Sequence, residues 1–244
     1  MISIIFKEIR FFFIKPLGYL ILLFFWTANT LSLIGIDNYF NLLNDIFLDY
    51  RGLFYLNAWL LIFLIPSISI ISFSNEISDG TFDLLLSKPL KSIEIILGKF
   101  FSQIIILLLA IMPTIFYAYY LNYFIHANSN IEIYSIITGY ISILLLGSNF
   151  IFLCIPTSII FKNQLTILIT NFSVCFTQYY LIYNLSSFIV DEKIHHIIIS
   201  FGNKIHFERI LSGLINFSDI FYFMGLNLIL LIFSTHLINQ LKNK

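Results

Sequence analysis

Charge is scarce in this sequence: 13 basic and 13 acidic residues among 244 make 11%, where soluble domains carry about 25%. The two signs cancel, so the total points to no acidic or basic partner, and no nucleic-acid partner is expected. Cysteine is nearly absent as well. Cys154 and Cys175 both fall in apolar runs, which excludes a disulfide framework and suits small apolar packing. A phosphate cradle of the form G-x-x-x-x-G-K-[ST] is missing: Gly98-Lys99 is followed by Phe100, and Ile93 stands where the first glycine would be. No enzyme activity is expected of the chain, and no cofactor bound by it. A G-x-S-x-G elbow and an H-E-x-x-H pair are also lacking. Short alternating stretches such as "ISIISF" end too soon for a transmembrane barrel.

What the chain has is apolar length. It is 59% hydrophobic and 18% aromatic, with a mean hydropathy of +0.93. Apolar runs of about 20 residues, enough to cross roughly 30 Å of hydrocarbon, lie near 17–36, 53–73, 100–124, 135–160, 165–190 and 219–238. These predict an all-α integral membrane protein of six spans, one domain over 1–244. Six spans put both termini on one side. That side receives Lys7, Arg10, Lys15, Lys88, Lys91, Lys99, Lys162, Lys242 and Lys244, nine of the 13 basic residues, and the excess predicts cytoplasmic termini. The N-terminal apolar run is too long for a signal peptide and lacks an A-x-A-like site, so it is expected to remain as the first span.

Residues 1–16 place Ile2, Ile5, Phe6, Ile9, Phe12 and Phe13 on one helical stripe, with Lys7, Glu8 and Arg10 mostly off it. This pattern predicts a helix lying in the membrane interface, bent into the first span at Pro16 and Gly18. Residues 37–52 suit a short amphipathic helix on the outer side, and the loop 191–218 holds most of the remaining charge there. Asn29, Gln103, Asn149, Asn171, Gln178 and Asn184 lie within spans. Asn149, Asn171 and Gln178 are the candidates for lining a translocation path, against the commoner role of hydrogen bonding between helices. No charged residue is expected deep in a span, which counts against ion-coupled transport.

The loop "SNEISDGTFDLLLSKPLKSIEIILGK", residues 74–99, is longer than a turn requires and carries helical punctuation. Asp79-Gly80 signals a turn, Thr81 can cap the next helix, Asp83 lies in its first turn, and Pro89 disfavours continuation past Lys88. A helix of about two turns is predicted over 81–88. Ser92 can cap the following helix, with Glu94 in its first turn. Held between two spans, such a helix would pass a push from a partner into the membrane.

These residues carry a resemblance. Glu76, Gly80-Thr81, Leu84-Leu85-Leu86, Pro89 and Gly98-Lys99 resemble the E…GT-x-[ED]-LLL-x-x-P…LGK signature of ABC-2 type permeases. "LNAWLLIFLIPSISIISFSNE", "IMPTIFYAYYLNYF" and "ILSGLINFSDIFYF" are similar to the gliding-motility-associated member of that family. Asn75, Ile77 and Ser78 depart from the charged neighbours usual beside Glu76, and Asp83 replaces the usual Glu. The resemblance implies the membrane subunit of an ABC exporter in the bacterial inner membrane. It further implies a coupling helix docked on a separate ATPase that binds ATP and Mg, and short re-entrant or surface helices before the last span. A second permease, identical or paralogous, and membrane lipid are the other implied partners. The coupling residues it points to are Glu76, Gly80, Thr81, Asp83, Leu84, Leu85, Lys88, Pro89 and Lys91. Two other readings compete: a membrane scaffold that moves nothing, and an intramembrane metal hydrolase built on Glu192, His195 and His196, with His206 and Glu208 near in sequence.

Overall fold

All six apolar runs become helices. The computed structural model describes residues 1–35, 51–78, 90–117, 133–189 and 191–242, and for 34–35, 74–78 and 133 the backbone alone. Of the amphipathic helix expected over 37–52 all but the last two residues, which begin α3, lie outside the described residues, as does the helix expected over 81–88. No strand occurs among the described ones.

The chain opens with α1 (Ile2–Ile14), turns at extended Lys15, and enters α2 (Pro16–Thr30) with Pro16 in the first turn, where its missing N–H costs nothing. A π-helical turn, Leu31–Gly35, prolongs α2. Next come α3 (Arg51–Ser78), α4 (Ser92–Ile111) and α5 (Ile133–Ile160). The fifth span is α6 (Gln164–Phe176), a π-helical stretch Thr177–Leu181, and α7 (Ile182–Ser186). Two short helices, α8 (Glu192–Ser200) and α9 (Asn203–Leu211), precede α10 (Phe217–Lys242). Pro66 and Pro156 sit inside α3 and α5, which run through them.

The spans form two layers. Over the 18-residue apolar stretch of each span, 72%, 56% and 67% of residues are buried in α3, α4 and α5, against 28%, 22% and 11% in α2, the fifth span and α10. The inner three pack tightly because glycine sits at their crossings. A Cβ on Gly139 would lie 2.2 Å from the Phe54 ring, so α3 and α5 meet at a separation that no larger residue permits. The outer helices attach by aromatic and polar anchors. Trp26 Nε1 donates to the Ala110 carbonyl at 3.0 Å, tying α2 to α4, and the Trp59 and Tyr180 rings lie 5.0 Å apart between α3 and the fifth span.

One expectation is corrected here. The helix of the third span begins at Ser92, beside the cap expected there and ahead of the apolar run marked from residue 100, and its described part runs to Tyr117. Lys99 is therefore inside a span, fully buried, contrary to the expectation that no charge lies deep in one. The face of α1 that the protein buries is Ile4, Glu8 and Phe12, and of the apolar stripe read from the sequence Ile2 and Phe6 are 68% and 71% exposed while Phe12 is buried. An acidic residue faces inward and the apolar residues face out, as suits a helix whose surroundings are hydrocarbon.

Candidate functional site

The loop 79–91 joins α3 to α4, the two helices that carry much of the buried core. Of the expected coupling residues, Gly80, Thr81, Asp83, Leu84, Leu85, Lys88 and Pro89 lie outside the described residues, as does the side chain of Glu76 in the last turns of α3. Lys91 is described: it caps α4, and its backbone N–H donates to the Glu94 carboxylate at 3.1 Å. Ser92, expected as the cap, is instead the first helical residue. Its hydroxyl is spent across the fold, donating to Asn239 Oδ1 on α10 at 2.5 Å, and Lys242 donates to the Leu90 carbonyl. The end of the loop is thus fastened to the end of the last helix.

Seven residues along α4 from Ser92, Lys99 meets α1 and α3 together. Its ammonium donates to Glu8 Oε1 at 2.8 Å and to the Ser72 carbonyl at 2.7 Å, and it lies 4.4 Å from the centre of the Phe73 ring. The Ser72 hydroxyl donates to the other carboxylate oxygen of Glu8 at 2.8 Å. Gly98 permits this approach, since a Cβ there would lie 2.9 Å from Ile4 Cγ2. Neither Glu8 nor the charge of Lys99 within a span was identified from the sequence. The available signal was spacing: Ile4, Glu8 and Phe12 recur every four residues on one helix face. The partner, 91 residues away, leaves no local trace.

At the opposite end, α8 and α9 form a hairpin that enters between the spans and leaves on the same side. Asp191 starts it by accepting from the Lys193 N–H at 2.9 Å. At its tip Asn203 donates to Asn149 Oδ1 at 2.8 Å, and Asn149 donates in turn to Asn227 Oδ1 on α10 at 3.0 Å. Asn149 stands sixteen residues into α5, about 24 Å along its axis at roughly 1.5 Å per residue, so the tip reaches the middle of the bundle. Gln178 donates to the Phe201 carbonyl at 2.7 Å and lies 3.0 Å from the Tyr222 hydroxyl. Nearer the hairpin's exit, His206 Nδ1 is 2.6 Å from Asp219 Oδ1, its Nε2 is 2.9 Å from the Ser200 carbonyl, and Arg209 reaches the same carboxylate oxygen at 2.9 Å. The Tyr222 ring stacks on His206 at 3.8 Å. Burial pushes the Glu208 carboxyl above the ordinary 4.5, partly offset by Lys204 and by a hydrogen bond from Tyr55.

The three candidates for a translocation path are placed as follows. Asn149 and Asn171 are fully buried, and Gln178 is half-buried. Asn171 donates to Ser158 at 3.0 Å and accepts from Thr157, while Ser158 meets Ser69 of α3 at 3.2 Å, so a polar seam joins α3, α5 and α6. Asn29 and Asn184 bond to carbonyls of their own helices. The acidic and histidine residues of the hairpin are not brought together: His195 pairs with the Ser186 carbonyl at 2.7 Å and His206 with Asp219. Among the described residues no three His, Cys, Asp or Glu side chains gather to hold a metal ion.

The family model described as ABC-2 family transporter protein matches residues 27–212, from the first span through the hairpin. The chain belongs to the ABC-2 transporter family. No curated protein matches it. This permease is accordingly a multi-pass membrane component of an ABC transporter and is not itself catalytic. The match contains the loop 79–91 and the whole α3–α4–α5 core, and stops before α10, whose polar ties to the loop and hairpin are particular observations of this structure.

Proposed function

We propose that this permease works in an ATP-driven exporter of the bacterial inner membrane, with both termini cytoplasmic, and that residues 74–92 couple it to a separate ATPase subunit holding ATP and Mg. A second permease, identical or paralogous, completes the membrane portion. The observation that carries this reading is the position of the loop: it links α3 and α4, so a displacement of the loop acts directly on the buried core rather than on a peripheral helix. In this reading Glu76, Asp83, Lys88 and Lys91 make polar contact with the ATPase, Leu84 and Leu85 fill its groove, Gly80 with Thr81 sets the helix angle, and Pro89 ends the helix. ATP-driven closure of the ATPase pair then moves α3 and α4 and alternates access across the bilayer. The resemblance of the second span, the stretch after α4 and the segment before α10 supports a link of the exporter to gliding motility or cell-envelope export.

A photo-crosslinker at Leu84, followed by gentle extraction from native membranes, tests the reading. Capture of a nucleotide-binding chain with a Walker motif is expected. Recovery of intact permease with no ATPase at native expression would overturn the coupling role and favour a scaffold.

A further inference from the structure

The Glu8 carboxylate accepts from Ser72 on α3 and from Lys99 on α4, so one side chain ties α1 to both helices that flank the 79–91 loop. Both charges are shielded, Glu8 at 5% exposure and Lys99 at 0%. Separating buried partners strands a charge in a medium that solvates it poorly, so Glu8 leaves Lys99 only where another polar group takes its place. Gln103 lies one turn further along α4, on the same face as Lys99. It is 1% exposed, and neither its Oε1 nor its Nε2 has a hydrogen-bond partner among the described residues. A buried amide left wholly unpaired is rare because it forfeits its hydration without compensation. Gln103, Glu8, Ser72 and Ser102 line one small cavity, of about 10 Å³, roughly the room of one water. The Gln103 amide complements both members of the ion pair, since its N–H groups can donate to Glu8 and its oxygen can accept from Lys99.

We propose that α1 is a moving limb of the permease: it slides along α4 by one helical turn when the loop is displaced, and Gln103 is the second polar station that Glu8 engages. The state described here is one station, with Glu8 on Lys99 and Ser72. Displacement of the loop brings Glu8 towards the vacant amide, so the charges exchange partners without being left bare. Such a joint has two discrete arrangements rather than a continuum. This inference rests on the coupling reading above, to which it adds α1 as a third transmitting helix and Lys99, Glu8 and Gln103 as positioning residues.

The test is an EPR distance between spin labels on Phe6→Cys of α1 and Phe101→Cys of α4, both sites being exposed, in the permease–ATPase complex reconstituted in lipid nanodiscs. Distances are read without nucleotide and with ATP and vanadate. The expected result is a nucleotide-dependent shift on the order of 5 Å, one helical turn. In Gln103→Leu the complex assembles and its thermal stability holds or rises, because an unpaired buried amide has been removed, while the shift is lost. Gln103→Met, closer in length, serves if the Leu variant does not assemble. An ATPase that turns over while the distance stays fixed, or a shift that survives in both variants, overturns this inference alone. A complex with no ATPase overturns the coupling reading, and this inference with it.

Discussion

At the scale of single residues, the ion pair of Glu8 and Lys99 has the larger energetic consequence. Breaking a buried pair by removing one partner costs about 3–5 kcal/mol, whereas replacing both with apolar residues of similar volume is often neutral or stabilising. Lys99→Met is therefore expected to lower thermal stability in detergent sharply, and Glu8→Leu with Lys99→Met to recover most of the loss. Equal loss in the single and double variants would show that Lys99 acts through some contact other than Glu8. Glu208 makes a pH-dependent contribution of the opposite kind. Its native carboxyl titrates above the ordinary 4.5, so folding favours its protonated form. The stability it adds is complete below the unfolded value and is lost as pH rises through the raised native one. Melting temperature should fall with rising pH across a window that opens at about 4.5, and Glu208→Gln should flatten that dependence.

At the scale of elements, glycine decides how closely the core helices approach. A side chain at Gly139 has Phe54 in its way at 2.2 Å, and overpacking of this kind costs roughly 1–3 kcal/mol. Gly139→Val should lower the denaturation midpoint without blocking insertion; an unchanged midpoint would mean that α3 and α5 can separate freely. The elements themselves were mostly open to inspection of the sequence, because a span is a matter of apolar length and a cap of one short-range contact. A charge inside the third span was not expected, because the neutralising partner of Lys99 sits in a different helix. The inward face of α1 was not legible for a related reason. Periodicity identifies an apolar stripe, but in a membrane both protein and solvent are apolar, so the stripe does not say which side is buried. The hairpin was implied by resemblance, while its depth is set by the contact of Asn203 with Asn149, 54 residues apart in sequence. The path candidates Asn149, Asn171 and Gln178 could be nominated as polar residues in spans, but their hydrogen-bond partners come from tertiary structure.

At the scale of the whole molecule, α10 links the two functional ends. It is 26 residues long and mostly exposed, with Phe223 and Ile238 in the apolar core and Leu230, Leu231 and Leu237 packed against it. Polar contacts add to that packing: Asn239 with Ser92 and Lys242 with Leu90 at the loop end, Asn227 with Asn149 in the middle, and Asp219 with His206 and Arg209 at the hairpin end. A helix held this way inserts on the strength of its outward residues, and Ile229, 68% exposed near its midpoint, is one of them. A charge at the centre of a span costs about 2.5–3.5 kcal/mol on insertion scales. Ile229→Arg should therefore reduce the fraction of chains in which the sixth span crosses, read by glycosylation mapping of a tag after Lys244. Ile238→Arg, at a buried position one turn from the loop-end ties, should disturb packing against the core more than crossing, because arginine near a helix end can extend its charge to the interface. If Ile229→Arg crossed as efficiently as the native chain, the exposed flank of α10 would have to line a wet surface instead of hydrocarbon or a neighbouring subunit, and the translocation route would have to be sought along that flank rather than beside Asn149.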